Sequence, residues 1–193
     1  AGSVQWQVVF ANAITGLSTS NFSLAQTGGV TGGAVTGVTG SGTTYTVTAS
    51  TGTGSGTLGL NFVNTTGLAP AVSNTLTGAT YTLDKTGPTV TINQAAAQVD
   101  PTKNLPINFT AVFNETINIS SFTSGDLTFG GTAPGAKTAV ISLVSGNTYN
   151  IAVSGATGSG TITVSLPANT VTDVLGNNNS ASTSTDNSVM YYV

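Results

Sequence analysis

The chain carries one succession of segments twice, about 104 residues apart, and this duplication constrains its fold more than any single motif. In the first copy VQWQVVF (4–10) leads to TSNFSL (19–24), TTYTVTAS (43–50) and GSGTLGLNF (54–62). In the second, INFTAVF (107–113) leads to SGDLTF (124–129), NTYNIAVS (147–154) and GSGTITVSL (158–166). A period of about 100 residues is that of a whole small β-sandwich, whereas solenoid units are shorter and cannot fold alone.

Alternation at period two places the strands. Val4, Trp6, Val8 and Phe10 share one face, as do Ile107, Phe109, Ala111 and Phe113 in the second copy. Tyr45, Val47 and Ala49 match Tyr149, Ile151 and Val153, and Leu58, Leu60 and Phe62 match Ile162, Val164 and Leu166. Turns rich in Gly, Asn and Ser separate them, and no apolar stripe has the helical period. The expectation is an all-β chain of two tandem antiparallel β-sandwich domains, residues 1–84 and 85–193, joined near Lys85-Thr86-Gly87-Pro88, where Pro88 stiffens the link.

Charge excludes several partners. Only 5% of residues are charged; with three lysines, no arginine and a net charge of −3, the chain has no footprint for neutralising phosphates, so nucleic acid is excluded as a partner. No apolar run approaches the roughly 18–20 residues that span a bilayer, so membrane insertion is not expected. Cysteine is absent, and Thr, Ser, Asn and Gly fill surface positions where Lys and Glu are usual. Such an exterior suits the outside of a cell. A start at Ala1 fits a processed secreted protein and equally an excised fragment.

Motifs that suggest chemistry have structural readings. Gly54-Ser55-Gly56-Thr57-Leu58-Gly59 fits the dinucleotide pattern GxGxxG, but it precedes a strand where that fingerprint requires a helix. Without histidine or cysteine there is no Ser-His-Asp triad, thiol nucleophile or ordinary zinc site. Glu115 and Asp173 are candidates for a glycosidase pair, yet the aromatics Trp6, Phe109 and Tyr149 fall on inward faces rather than along a cleft. No enzymatic activity is expected. A Lys85–Asn187 isopeptide bond would need both side chains buried, and Lys85 lies in a linker where exposure is the default. The sequons at Asn21, Asn64, Asn108, Asn114, Asn118 and Asn178 are what an Asn-, Ser- and Thr-rich chain produces by chance, with Asn64 and Asn178 best placed in loops.

LDKTGPTVTI (83–92), INFTAVFNETI (107–117), SGDLTF, GSGTITVSLPANTVTDVLGNNN (158–179) and STDNSVMYY (184–192) together resemble the bacterial immunoglobulin-like (Big-type) repeats of large cell-surface and adhesin proteins. The likeness covers nearly the whole chain and is strongest in the second copy. It implies immunoglobulin-like sandwiches in tandem and an extracellular structural or adhesive role at the cell surface.

All six acidic residues lie from Asp84 onward. In an immunoglobulin-like second copy the linker, the B-to-C loop and the F-to-G loop meet at one end, which would gather Asp84, Glu115 and Asp173. Carboxylates so gathered favour a hard cation with oxygen ligands, and calcium, with Asn177 completing the set, is the expected cofactor at the junction. The competing reading leaves Asp84 and Asp173 apart in solvent, with Lys85 offering a salt bridge of at most about 1 kcal/mol. The first copy has Asn12 opposite Glu115 and Ala69 roughly opposite Asp173, so its own site is gone.

PTVTINQ (88–94) precedes the second copy's first repeated strand, whereas the first copy enters its own within three residues of Ala1. The first domain is therefore expected to be incomplete at its N-terminus, lacking strand A. An absent strand leaves an open edge, so the expected partners are other copies of the chain or neighbouring immunoglobulin-like repeats, with β-strand addition at the first domain as one route. The function expected is that of a surface fibre or filament subunit or an adhesin stalk segment. The alternative is a carbohydrate- or receptor-binding module of an adhesin, for which the aromatic pair Tyr191-Tyr192 is the one feature.

Overall fold

A computed structural model describes residues 2–193. The protein is all-β, 49% strand and 5% helical, and its strand ladders are antiparallel, consistent with a β-sandwich. The chain divides into two compact units, Ala1–Thr86 and Gly87–Val193, each with its own core.

The first unit contains β1 (Ser3–Val9), β2 (Phe22–Gly28), β3 (Ala34–Ser41), β4 (Thr44–Ser50), β5 (Gly56–Phe62) and β6 (Leu76–Leu83). They form two sheets, ordered β1-β4-β3 and β2-β5-β6. Alternation explains how the sheets share a core. Tyr45, Val47 and Ala49 of β4 point inward at 7%, 0% and 0% exposure, meeting Leu58, Leu60 and Phe62 from β5.

The second unit contains β7 (Val90–Gln94), β8 (Ile107–Phe113), β9 (Thr128–Gly130), β10 (Thr138–Ser145), β11 (Thr148–Ser154), β12 (Gly160–Ser165) and β13 (Ser188–Tyr191). Its sheets run β7-β8-β11-β10 and β9-β12-β13. The duplication holds at the level of register. Trp6 faces Val47 and Val8 faces Tyr45, as Phe109 faces Ile151 and Ala111 faces Tyr149. In both units a short 3-10 turn, Thr19–Asn21 or Ser124–Asp126, precedes the strand that pairs with β5 or β12. Each turn is tied by its third residue: Asn21 Oδ1 accepts from Ser18 N (2.8 Å) and Asp126 Oδ2 from Thr123 N (2.7 Å).

The glycines of the GSG motif have a conformational role. Gly56 and Gly160 open equivalent strands at φ 153° and 151°, in backbone territory that side chains rarely enter. A Cβ would lie 2.1 Å from Thr27 O at Gly56 and 2.4 Å from Ala133 N at Gly160. The dinucleotide-like pattern is a turn into β5. The serine between the glycines is a tie. Ser55 Oγ accepts from Lys85 N (2.9 Å) and Ser159 Oγ from Val193 N (3.0 Å), so each holds the chain just after its unit's last strand.

The units differ at one edge. β7 pairs with the outer side of β8, and among the described residues no strand occupies the matching place beside β1. Coverage follows from this. Ile107, Phe109, Ala111 and Phe113 are 0–2% exposed, whereas Val4, Val8 and Phe10, equally inward by alternation, are only half-buried. Trp6 compensates at one end: its Nε1 donates to Ala79 O (2.9 Å), and its ring meets Tyr81 edge-on at 5.2 Å.

Two local expectations need correction, and one chance motif is placed. Tyr191 is buried at 9% exposure, inward on β13, and only Tyr192 is exposed, so the two do not form a surface pair. Lys85 is half-buried rather than exposed, because its ammonium donates to Thr51 Oγ1 (2.8 Å) and to Gly52 O. Asn21, one of the sequons, is fully buried, with Nδ2 donating to Asn64 O and Thr66 O.

Candidate functional site

Glu115 and Asp173 belong to two loops at one end of the second unit. Glu115 follows β8, and an antiparallel bridge between Ile117 and Asp173 ties its loop to the one between β12 and β13. Their carboxylate oxygens lie within 4.8 Å of one another. Glu115 is half-buried and Asp173 is 2% exposed.

Asp173 is the organiser of its loop. Its Oδ1 accepts from Leu175 N (2.8 Å) and Asn177 N (2.8 Å), and its Oδ2 accepts from Asn177 Nδ2 (2.7 Å). Burial pushes this carboxyl upward, but the hydrogen bonds from the Asn177 side chain and from the backbone of Asn177, Leu175 and Gly176 outweigh it. The net result is a carboxyl below its ordinary value of 3.8, ionised at neutral pH. A carboxylate offers about four lone-pair positions, and these internal bonds take up most of them. Asp173 and Asn177 are thus joined side chain to side chain, on the same loop and at the same end as Glu115.

The loop is anchored by a residue that pattern reading did not single out. Asn179 is 2% exposed; its Oδ1 accepts from Thr170 N (2.9 Å) and Val171 N (2.8 Å), and its Nδ2 donates to Pro167 O (2.9 Å) and Ser180 O (2.7 Å). All four bonds go to backbone groups, so a buried side chain is fully satisfied by the loop it holds. In a chain so rich in asparagine nothing in composition or spacing marks this one, because its role depends on burial.

Asp84 belongs to the first unit, just after β6. Its Oδ1 accepts from Ser55 Oγ (3.1 Å) and from Thr86 N (3.0 Å), which fixes the carboxylate on the GSG turn. At the matching exit of the second unit Tyr192 stands in place of Asp84, by the pairing of Leu83 with Gly56 and of Tyr191 with Gly160. Lys85 and Asn187 are each engaged within their own unit, Asn187 Nδ2 donating to Val164 O (3.1 Å).

The first unit has no counterpart of the Glu115–Asp173 pair. Thr15 N bonds to Ala69 O as Asn118 N bonds to Thr172 O, which sets Pro70, one residue past the expected Ala69, in the place of Asp173. Asn12 matches Glu115, so neither position carries a carboxylate.

Chemically, the second-unit cluster offers hard oxygen ligands in a partly desolvated loop end, the donor set of calcium rather than of a softer metal. No protein-family model, curated protein or solved structure matches the chain.

Proposed function

We propose that the chain is a non-catalytic extracellular structural protein, two tandem immunoglobulin-like sandwiches serving as part of a cell-surface fibre, filament or adhesin stalk, with its own kind or neighbouring repeats as partners. The observation that carries this reading is the repetition of one set of antiparallel ladders, register for register, in both halves of the chain. The sheets β7-β8-β11-β10 and β9-β12-β13 follow the A-B-E-D and C-F-G order of immunoglobulin constant-type domains. Repetition of a stable module supplies length, and a weakly charged surface of Thr, Ser and Asn keeps it hydrated.

Calcium is part of the proposal, with Glu115, Asp173 and Asn177 as ligands and Asp84 contributed by the linker. Asp84 stands three residues before Gly87, a reach of about 11 Å along the chain. The cation would neutralise the carboxylates and restrain the linker that carries one of them.

Calcium titration followed by thermal unfolding tests the metal. A ligand bound only by the folded state adds about 2.7 kcal/mol at a hundredfold excess over its Kd, so the melting temperature should rise with calcium and fall back with chelator. Glu115→Gln should remove that response, and a melting curve indifferent to calcium would sink the metal assignment. Negative-stain electron microscopy with and without chelator tests the fibre, which regular filaments would support and isolated particles would oppose. The alternative, a carbohydrate- or receptor-binding module, rests on exposed Tyr192 alone, and selective binding on a glycan array would favour it.

A further inference from the structure

The outer edge of β1 has three properties that belong together. The first is open backbone. Phe10 N donates to Thr43 O and Thr51 N to Gly2 O, so even-numbered residues of β1 face β4 and the odd-numbered ones face away. Of the outward groups Gln5 O accepts the Tyr81 hydroxyl (2.5 Å), while no described residue outside the β1–β4 ladder bonds to the backbone of Gln7 or Val9.

The second is a groove. Gln7, Val8, Val9, Phe62 and Leu76 help line a space of about 220 Å³ between β1 and β6, largely apolar, with Val9 and Leu76 each 64% exposed. The third is the lack of protection. Exposed edges are usually guarded by Lys, Pro or a bulge; β1 has no charge, no proline and no register shift, whereas bulges interrupt β3–β4, β5–β6 and β10–β11.

The second unit displays what fits such an edge. Alongside β8, Thr91 and Asn93 of β7 pair with Val112 and Thr110, the counterparts of Val9 and Gln7, while Val90 and Ile92 turn inward at 2% and 0% exposure. Between them they seal the flank that the first unit leaves open.

We propose that the outer edge of β1 is a strand-accepting seat, occupied by one extended segment of another polypeptide with the Val-Thr-Ile alternation of β7. The segment runs antiparallel to β1 and bonds to the backbone of Gln7 and Val9. Its two apolar side chains stand opposite Phe10 and Val8 and fill the groove toward Phe62 and Leu76. The described strands of a second copy do not supply this segment. Its β7 is already paired with its own β8, and the inward side chains of its β1 are packed into its own core. The inference rests on reading the two units as copies of one sandwich.

The test uses the 193-residue chain and a blocked synthetic peptide with the sequence of residues 87–94, followed by amide chemical shifts and hydrogen exchange. Saturable shifts at Gln7 and Val9 with a Kd on the order of 1 mM or tighter, and slowed exchange of those two amides, are expected. A peptide with Asp in place of its isoleucine should bind at least about tenfold more weakly. Gln7→Pro removes one outward N–H, a change edge strands tolerate, and should abolish binding while the core amides stay protected. Should that variant misfold, Leu76→Asp charges the mouth of the groove from an exposed side chain outside the β1–β4 ladder and should weaken binding likewise. Absence of saturation, shifts that survive both variants, or concentration-dependent dimerisation without peptide would overturn the proposal, the last by making a second copy the occupant. Filament images and the calcium response are read independently, so a failed peptide titration leaves the stalk reading standing.

Discussion

Inside the second unit, the ionised Asp173 carboxylate does the work of a backbone group, closing a loop by accepting three hydrogen bonds from Leu175 and Asn177. Its carboxyl titrates lower in the folded chain than its ordinary value, so between the two values the unfolded chain binds more protons. Stability from this residue is therefore present above about pH 4 and is lost as pH falls through the folded value. Replacing Asn177 by Ala removes the largest lowering influence. In chelator-treated protein, Asn177→Ala should reduce the difference in urea midpoint between pH 7 and pH 3, compared with the parent. An unchanged difference would mean that the side-chain bond does not hold the carboxyl down. Asn179 and Lys85 carry a related lesson at this scale. The partners of a polar side chain are set by burial and by chain segments far away in sequence, and neither residue has a local pattern that announces them.

At the scale of elements, Trp6 substitutes in part for a strand. Its counterpart Phe109 is covered by β7, whereas Trp6 reaches across the open flank to Ala79 and Tyr81. Trp6→Phe should lower the stability of the first unit by about 1–3 kcal/mol through the lost hydrogen bond and lost packing, measured as a shift in urea midpoint. Equal stability would assign the bridging bond no net value. The strands themselves were legible because alternation is a local property: Tyr45, Val47 and Ala49 read inward and are inward. The same alternation marks Val4 and Val8 as core, and they are half-buried. Period two tells which face a side chain takes; coverage of that face depends on whether a strand lies alongside. Alternation also separates Tyr191 from Tyr192, a distinction obscured when the two are taken as a pair. For the loop end, the residue types at Glu115 and Asp173 could be read directly. The internal bonds that consume much of the Asp173 carboxylate could not, because they depend on how tightly residues 173–177 close.

For the whole molecule, two separate cores with unequal cover imply unequal stability. Among the described residues the first unit has six strands and an open flank, and the second has seven and a closed one. Trp6 is the chain's single tryptophan, so its fluorescence reports on the first unit alone. We predict that this signal changes at lower denaturant than the total β-sheet signal, and that the amides of Val47 and Ala49 exchange faster than those of their counterparts Ile151 and Val153. Coincident transitions would show instead that the two units unfold as one.

The use of every strand within its own unit also fixes a valence. Among the described residues β1 through β13 all lie in ladders of the unit they belong to, and one edge still accepts. None of these described strands is left over to enter the β1 edge of another copy. Complexes of these residues with a separate strand-bearing peptide, made through β1, should stop at one to one, whatever the concentration of either component.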